Sequence, residues 1–76
     1  MEHHLEIDKP YLDAKLAGDK LFEIRFNDRG YQRGDIVIYK DYSIQLNPVE
    51  HRYEITYVTS YHQRNNYVVF GEKKVA

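Results

Sequence analysis

A chain of 76 residues without a single cysteine has to hold one small core together by packing alone. It has no disulfide to staple it, no thiolate to bind a metal and no Cys nucleophile. A chain this short buries only about 60% of the surface it exposes when unfolded, so it supports one domain, residues 1–76, and no second core. With 42% hydrophobic and 30% charged residues it has the composition of a soluble globular domain. Eleven basic and twelve acidic residues give a formal net charge of -1, which argues against a general nucleic-acid binder that works by bulk electrostatics. The cations are clustered all the same. Arg25, Arg29, Arg33, Lys40, Arg52 and Arg64 lie within the middle of the chain, and folding can bring them onto one face.

Hydrophobic periodicity supplies the elements. His3, Leu5 and Ile7 alternate with His4, Glu6 and Asp8 as a first strand. A short helix is expected over residues 10–17: Asp8 or Lys9 can cap it, Pro10 suits its first turn, Leu12 and Leu16 share a face, and Gly18 is a left-handed stop. Residues 21–27 alternate again, with Phe22, Ile24 and Phe26 expected on the core and Glu23, Arg25 and Asn27 on the other face. Two turn signals around Tyr31 follow, and Asp28 is expected to bond backbone amides in the first of them. Residues 35–42 are apolar on both faces and read as a central strand, and residues 43–50 as a loop. Tyr53, Ile55, Tyr57, Thr59 and Tyr61 mark a long strand over residues 52–61. Tyr67 to Phe70 is the last strand, with fraying expected from Gly71. One small helix and about five short strands, α+β in class, favour a compact, partly closed barrel that removes sheet edges.

The charged surplus around the second strand is the best pointer to function. Lys20, Glu23, Arg25 and Arg29 can gather about one shallow site, with Lys20 and Arg25 donating to a phosphate or base edge and Glu23 accepting or orienting Arg25. The plainer reading is a Glu23–Arg25 pair that satisfies itself at the barrel mouth. Tyr42 beside Lys40, and Tyr61 near Arg64, each set an aromatic ring next to a cation, as a base-stacking contact requires. Most tyrosines are expected in the wall. His3 and His4 point opposite ways along a strand, and His51 and His62 lack ligand spacing, so no metal site and no cofactor are expected.

Gly18-x-Lys20-x-x-Glu23-x-Arg25 resembles the signature of ASCH (activating signal cointegrator homology) domains, members of the PUA-like β-barrel superfamily. His4, Ile7, residues 18–29, Gly34-Asp35 and Tyr67-Val68-Val69 extend the likeness to a small bacterial and phage ASCH-like family of unknown function. The resemblance implies a PUA-like barrel, RNA as partner, and His4 as a further cleft residue. It also raises catalysis. Some ASCH relatives are amidohydrolases that deacylate a modified cytidine with a lysine, a threonine and a glutamate. Lys20 matches the lysine, but Glu23 stands where the threonine would be, and the helical insertion before the last strand is missing. Lys20 and Glu23 as a general acid/base pair acting on water are what would remain. An open cleft is expected to leave Glu23 solvated and weakly basic. A protein-interaction domain, pairing through its last strand, is the third reading. The expected state is a cytoplasmic monomer or small homo-oligomer, with no membrane span and no signal peptide.

Overall fold

A computed structural model describes residues 1–42 and 48–75. Along the chain lie β1 (Glu2–Leu5), α1 (Lys9–Leu16), β2 (Phe22–Phe26), β3 (Ile36–Asp41), β4 (Val49–Thr59) and β5 (Tyr67–Lys74). The strands form one sheet in the order β1-β3-β4-β5-β2, curled into a half-barrel. β1 runs parallel to β3, and every other neighbour is antiparallel. β3 is an interior strand, between β1 and β4, as its two apolar faces require, and Val37, Ile38 and Tyr39 are fully buried. The core of the concave side is built from Leu5, Leu12, Tyr31, Val37, Tyr39, Tyr53, Ile55, Val68 and Phe70. The barrel does not close. β1 and β2 remain the two edges of the sheet, separated by a cleft that Arg25 Nη2 bridges by donating to the Glu6 carbonyl at 2.7 Å.

Helix α1 starts after Asp8, whose extended backbone (φ -72°, ψ 144°) ends the first strand segment. The Asp8 side chain makes no cap; its carbonyl instead accepts from Tyr11 and Leu12 N–H at 3.0 Å. At the other end Gly18 takes φ +84° and donates to the Lys15 carbonyl, while Asp19 N–H reaches the Ala14 carbonyl at 2.9 Å. This paired closure satisfies the last carbonyls and turns the chain into β2. The helix buries Leu12 and Lys15, three apart, and leaves Leu16 partly exposed, so the expected Leu12/Leu16 stripe is corrected by one position.

Further expectations are overturned. β2 presents the opposite face: Phe22, Ile24 and Phe26 are exposed, Ile24 by 56%, while Glu23 is turned inward and only 5% exposed. The concave surface beneath β2 carries the Lys15 ammonium, and a carboxylate rather than an apolar chain completes it. In β4, which begins at Val49 inside the expected loop, a bulge between Ile55 and Tyr57 resets the alternation. Tyr53 and Ile55 point inward, Tyr57 points out, and Val58 takes its place against the core. β5 does not fray at Gly71. It runs on to Lys74, with Glu72 buried. Residues 43–47 of the expected loop lie outside the described residues. In the first turn the amide contact comes from Asn27 rather than Asp28: Asn27 Oδ1 accepts from Tyr31 N–H at 2.9 Å.

Candidate functional site

Lys15 is the anomaly of this fold. Its side chain is fully enclosed in a domain with little core to spare, and burying an ammonium is expensive unless every proton finds a partner. Here they do. Its Nζ pairs with Glu72 Oε1 and with Glu23 Oε2 at 3.0 Å, and approaches the carbonyls of Lys20 and Phe22 at 3.3 and 3.4 Å. The rings of Tyr39 and Tyr53 flank it, with centroids at 4.8 and 5.5 Å. Tyr39 Oη donates to Glu72 Oε2 at 2.9 Å. Glu23 carries the chain of contacts outward. It accepts from Lys20 Nζ at 2.5 Å, and its Oε1 accepts from Arg25 Nε at 3.1 Å. Tyr39, Glu72, Lys15, Glu23, Lys20 and Arg25 thus form one network from the core to the cleft, and no buried side-chain nitrogen or oxygen among the described residues lacks a partner.

The two carboxylates of this network behave differently. Burial opposes ionisation of Glu23, but the hydrogen bonds and charges of Lys20 and Lys15 outweigh it and hold its pKa below the usual carboxylate range. For Glu72 burial wins over Lys15 and Tyr39, and the pKa is raised. Burial, followed by the charge of Glu72, pushes the Tyr39 phenol far up, so it remains a donor at any physiological pH. The network holds three cations, Lys15, Lys20 and Arg25, against the two carboxylates Glu23 and Glu72, while the lining of the cleft sets Lys20, Arg25 and Lys40 against Glu6, Asp8 and Glu23.

The cleft itself has a volume of about 600 Å³ and is lined by Glu6, Ile7, Asp8, Tyr11, Lys20, Glu23, Arg25, Lys40 and Tyr42. A second, smaller hollow continues from it past Glu6 and Arg25 to His4, Asp28, Arg29 and Tyr31. Of the residues singled out in the sequence, the cleft gathers Lys20, Glu23, Arg25, Lys40 and Tyr42, and its extension adds His4 and Arg29. Tyr61 and Arg64 do not line it. They sit at the β4–β5 turn, where Tyr61 is exposed and the Arg64 guanidinium lies 5.6 Å from the Tyr67 ring centroid. The reason for expecting Glu23 to be a poor base also changes: it is buried rather than solvated, and it stays ionised because two lysines hold its charge. Among the described residues no group of three or more histidine, aspartate or glutamate side chains could hold a metal ion. Among the described residues no helix is long and apolar enough to cross a membrane.

Lys15, Glu72, Tyr11, Glu6 and Asp8 are the site residues that sequence reasoning missed. A signal existed for two of them. Lys15 falls three residues after Leu12 on the inward stripe of α1, and Glu72 continues the Val68, Phe70 alternation by one step.

A protein-family model matches residues 2–71, almost the whole chain. The chain belongs to the family described as domain of unknown function DUF3850. Its match spans the elements that build the cleft, from β1 through the first part of β5. No curated protein matches the chain.

Proposed function

We propose that the DUF3850 cleft binds a nucleotide-like ligand, either free or as one unit of an RNA, and serves recognition rather than catalysis. One observation carries the reading: Lys20, Arg25 and Lys40 line a single concave surface together with the rings of Tyr11 and Tyr42. A phosphate would take the cationic side, and a base would lie against a tyrosine ring, a contact that contributes about 1 to 3 kcal/mol. Asp8 and Glu6 supply acceptors of the kind that hold ribose hydroxyls. The cleft is of ligand-pocket size, within the range of about 300 to 1,000 Å³ that small-molecule sites occupy, and suits one nucleotide rather than a long strand. The resemblance of Gly18-x-Lys20-x-x-Glu23-x-Arg25 to ASCH domains supports the same class of partner, and a PUA-like identity for the half-barrel with it. This reading places the domain in the cytoplasm, with its ligand.

Catalysis fits less well. The carboxylate facing the cleft, Glu23, is held ionised and already accepts from Lys15, Lys20 and Arg25, which leaves it little basicity toward a bound water. The test is a titration of a panel of nucleoside monophosphates and short labelled RNAs at several salt concentrations. Binding should weaken as salt rises, with a log-log slope corresponding to about two to three phosphate contacts. Salt-independent binding, or none across both panels, would remove the proposal.

A further inference from the structure

The outward face of β2 is unusual for an edge strand, because it is apolar where edges are normally guarded by charge. Phe22, Ile24 and Phe26 form one exposed row, and Tyr57 stands exposed two strands away on β4. Between them runs β5, whose outward positions in register with Phe22, Ile24 and Phe26 are Gly71, Val69 and Tyr67. Gly71 is also the register partner of Tyr57. It has no side chain, and a Cβ there would come within 3.2 Å of Thr56 Oγ1, so the position stays a notch. The surface is therefore a ridge on β2 beside a valley on β5.

The four exposed side chains leave about 450 Å² open, since aromatic residues carry about 150 to 250 Å² each and these are roughly half uncovered. A stable interface needs about 800 Å² per partner, and homodimer interfaces are about 65% apolar, which calls for about 520 Å². The patch comes close to that before the partly covered Tyr67 and Val69 are counted. No charged residue lies within the rows. The cations that touch them sit at the ends, Lys20 over Phe22 at 5.0 Å and Arg64 over Tyr67 at 5.6 Å, too few to neutralise a phosphate backbone crossing the face. Farther along the sheet Lys73 pairs in register with Glu54, so the rim carries both signs.

We propose that this face is a two-fold interface between two copies of the chain, with the β2 ridge of each seated along the β5 valley of the other. It lies on the opposite side of the sheet from the cleft, so it does not depend on the ligand-binding reading. Sedimentation velocity from about 5 to about 200 µM tests it, a range that brackets micromolar association. The wild-type chain should approach twice its 9.2 kDa mass. Ile24→Asp and Tyr57→Asp, each placed on exposed surface, should raise the dissociation constant at least about 30-fold, the effect of losing a central contact, while circular dichroism stays unchanged. If one variant fails to fold, the other decides. A wild-type chain that stays monomeric over the range, or a dimer that a folded variant leaves intact, overturns the proposal. So does association that disappears on nuclease treatment, which would assign the face to nucleic acid.

Discussion

Replacing Lys15 by methionine tests whether the buried network is held together by charge. The substitution keeps length and apolar volume but removes the one cation among the described residues that touches both Glu23 and Glu72. Glu23 retains Lys20 and Arg25, whereas Glu72 is left with the Tyr39 hydroxyl alone, fully enclosed. Removing one partner of a buried pair costs about 3 to 5 kcal/mol, because the remaining charge is buried without compensation. A chain of this length has a total stability of about 4 to 11 kcal/mol. Lys15→Met should therefore consume a large part of the margin and lower the melting temperature by at least about 12 °C, at about 4 to 8 °C per kcal/mol. The defect should shrink with acid, since Glu72 escapes the penalty by taking up a proton. Urea denaturation followed by circular dichroism at pH 7 and pH 5 measures both effects. The double variant Lys15→Met, Glu72→Gln should recover most of the loss at pH 7. A single variant within about 1 kcal/mol of wild type at pH 7 would refute the reasoning, because it would mean that the ammonium is solvated in solution or that its charge is not what satisfies the carboxylates.

Lys40→Ala, at the partly exposed lip of the cleft, should weaken nucleotide binding with no change in melting, whereas Arg25→Ala should cost about 1 to 3 kcal/mol of affinity and also lower the melting temperature, because it breaks the bridge to Glu6. Calorimetric titration paired with thermal melting separates the two, and an Arg25→Ala variant with unaltered affinity would make Arg25 a structural strut only. Glu23 and Asp35 both have lowered folded-state pKa values, so the stability they supply is present above their unfolded values, near pH 4, and lost as pH falls through the folded ones. Glu72 has the opposite sign: its contribution is present below its unfolded value and lost as pH rises through its raised folded one. Glu72→Gln should therefore gain on wild type between pH 4 and pH 7, and a stability difference that stays flat over that range would contradict the assignment. Purified protein incubated with acylated cytidine should give no product above background by chromatography; turnover abolished by both Lys20→Ala and Glu23→Gln would put the amidohydrolase reading first.

The positions of the elements were largely legible, because alternation and turn chemistry are local signals. β3 announced itself as an interior strand through Ile36 to Tyr39, and Gly18 ended the helix where its left-handed backbone was needed. The facing of β2 was not legible. Period-two alternation says that Phe22 and Glu23 point apart, but not which side meets the core, and the decision rests on Lys15, a residue on another element. The Ile55/Tyr57 bulge is likewise invisible in a perfect run of alternating residues, since it is set by pairing with β5 rather than by the strand itself. The cleft residues Lys20, Glu23 and Arg25 stood out by their crowding. Lys15 and Glu72 did not, because a lone charged residue in an apolar pattern ordinarily reads as the end of that pattern.

The ion pair between Lys15 and Glu72 joins positions 57 residues apart, and this shapes how the chain can reach its native state. Closing so long a loop is entropically slow, yet before it closes α1 can pack against the sheet only by dehydrating an ammonium that lacks its Glu72 partner and keeps Glu23 alone as counter-charge. A partly folded species with the helix docked and β5 absent is thereby penalised. Helix docking and arrival of the last strand become a single event, and a domain with a thin margin acquires an all-or-none transition from the same charges that cost it core.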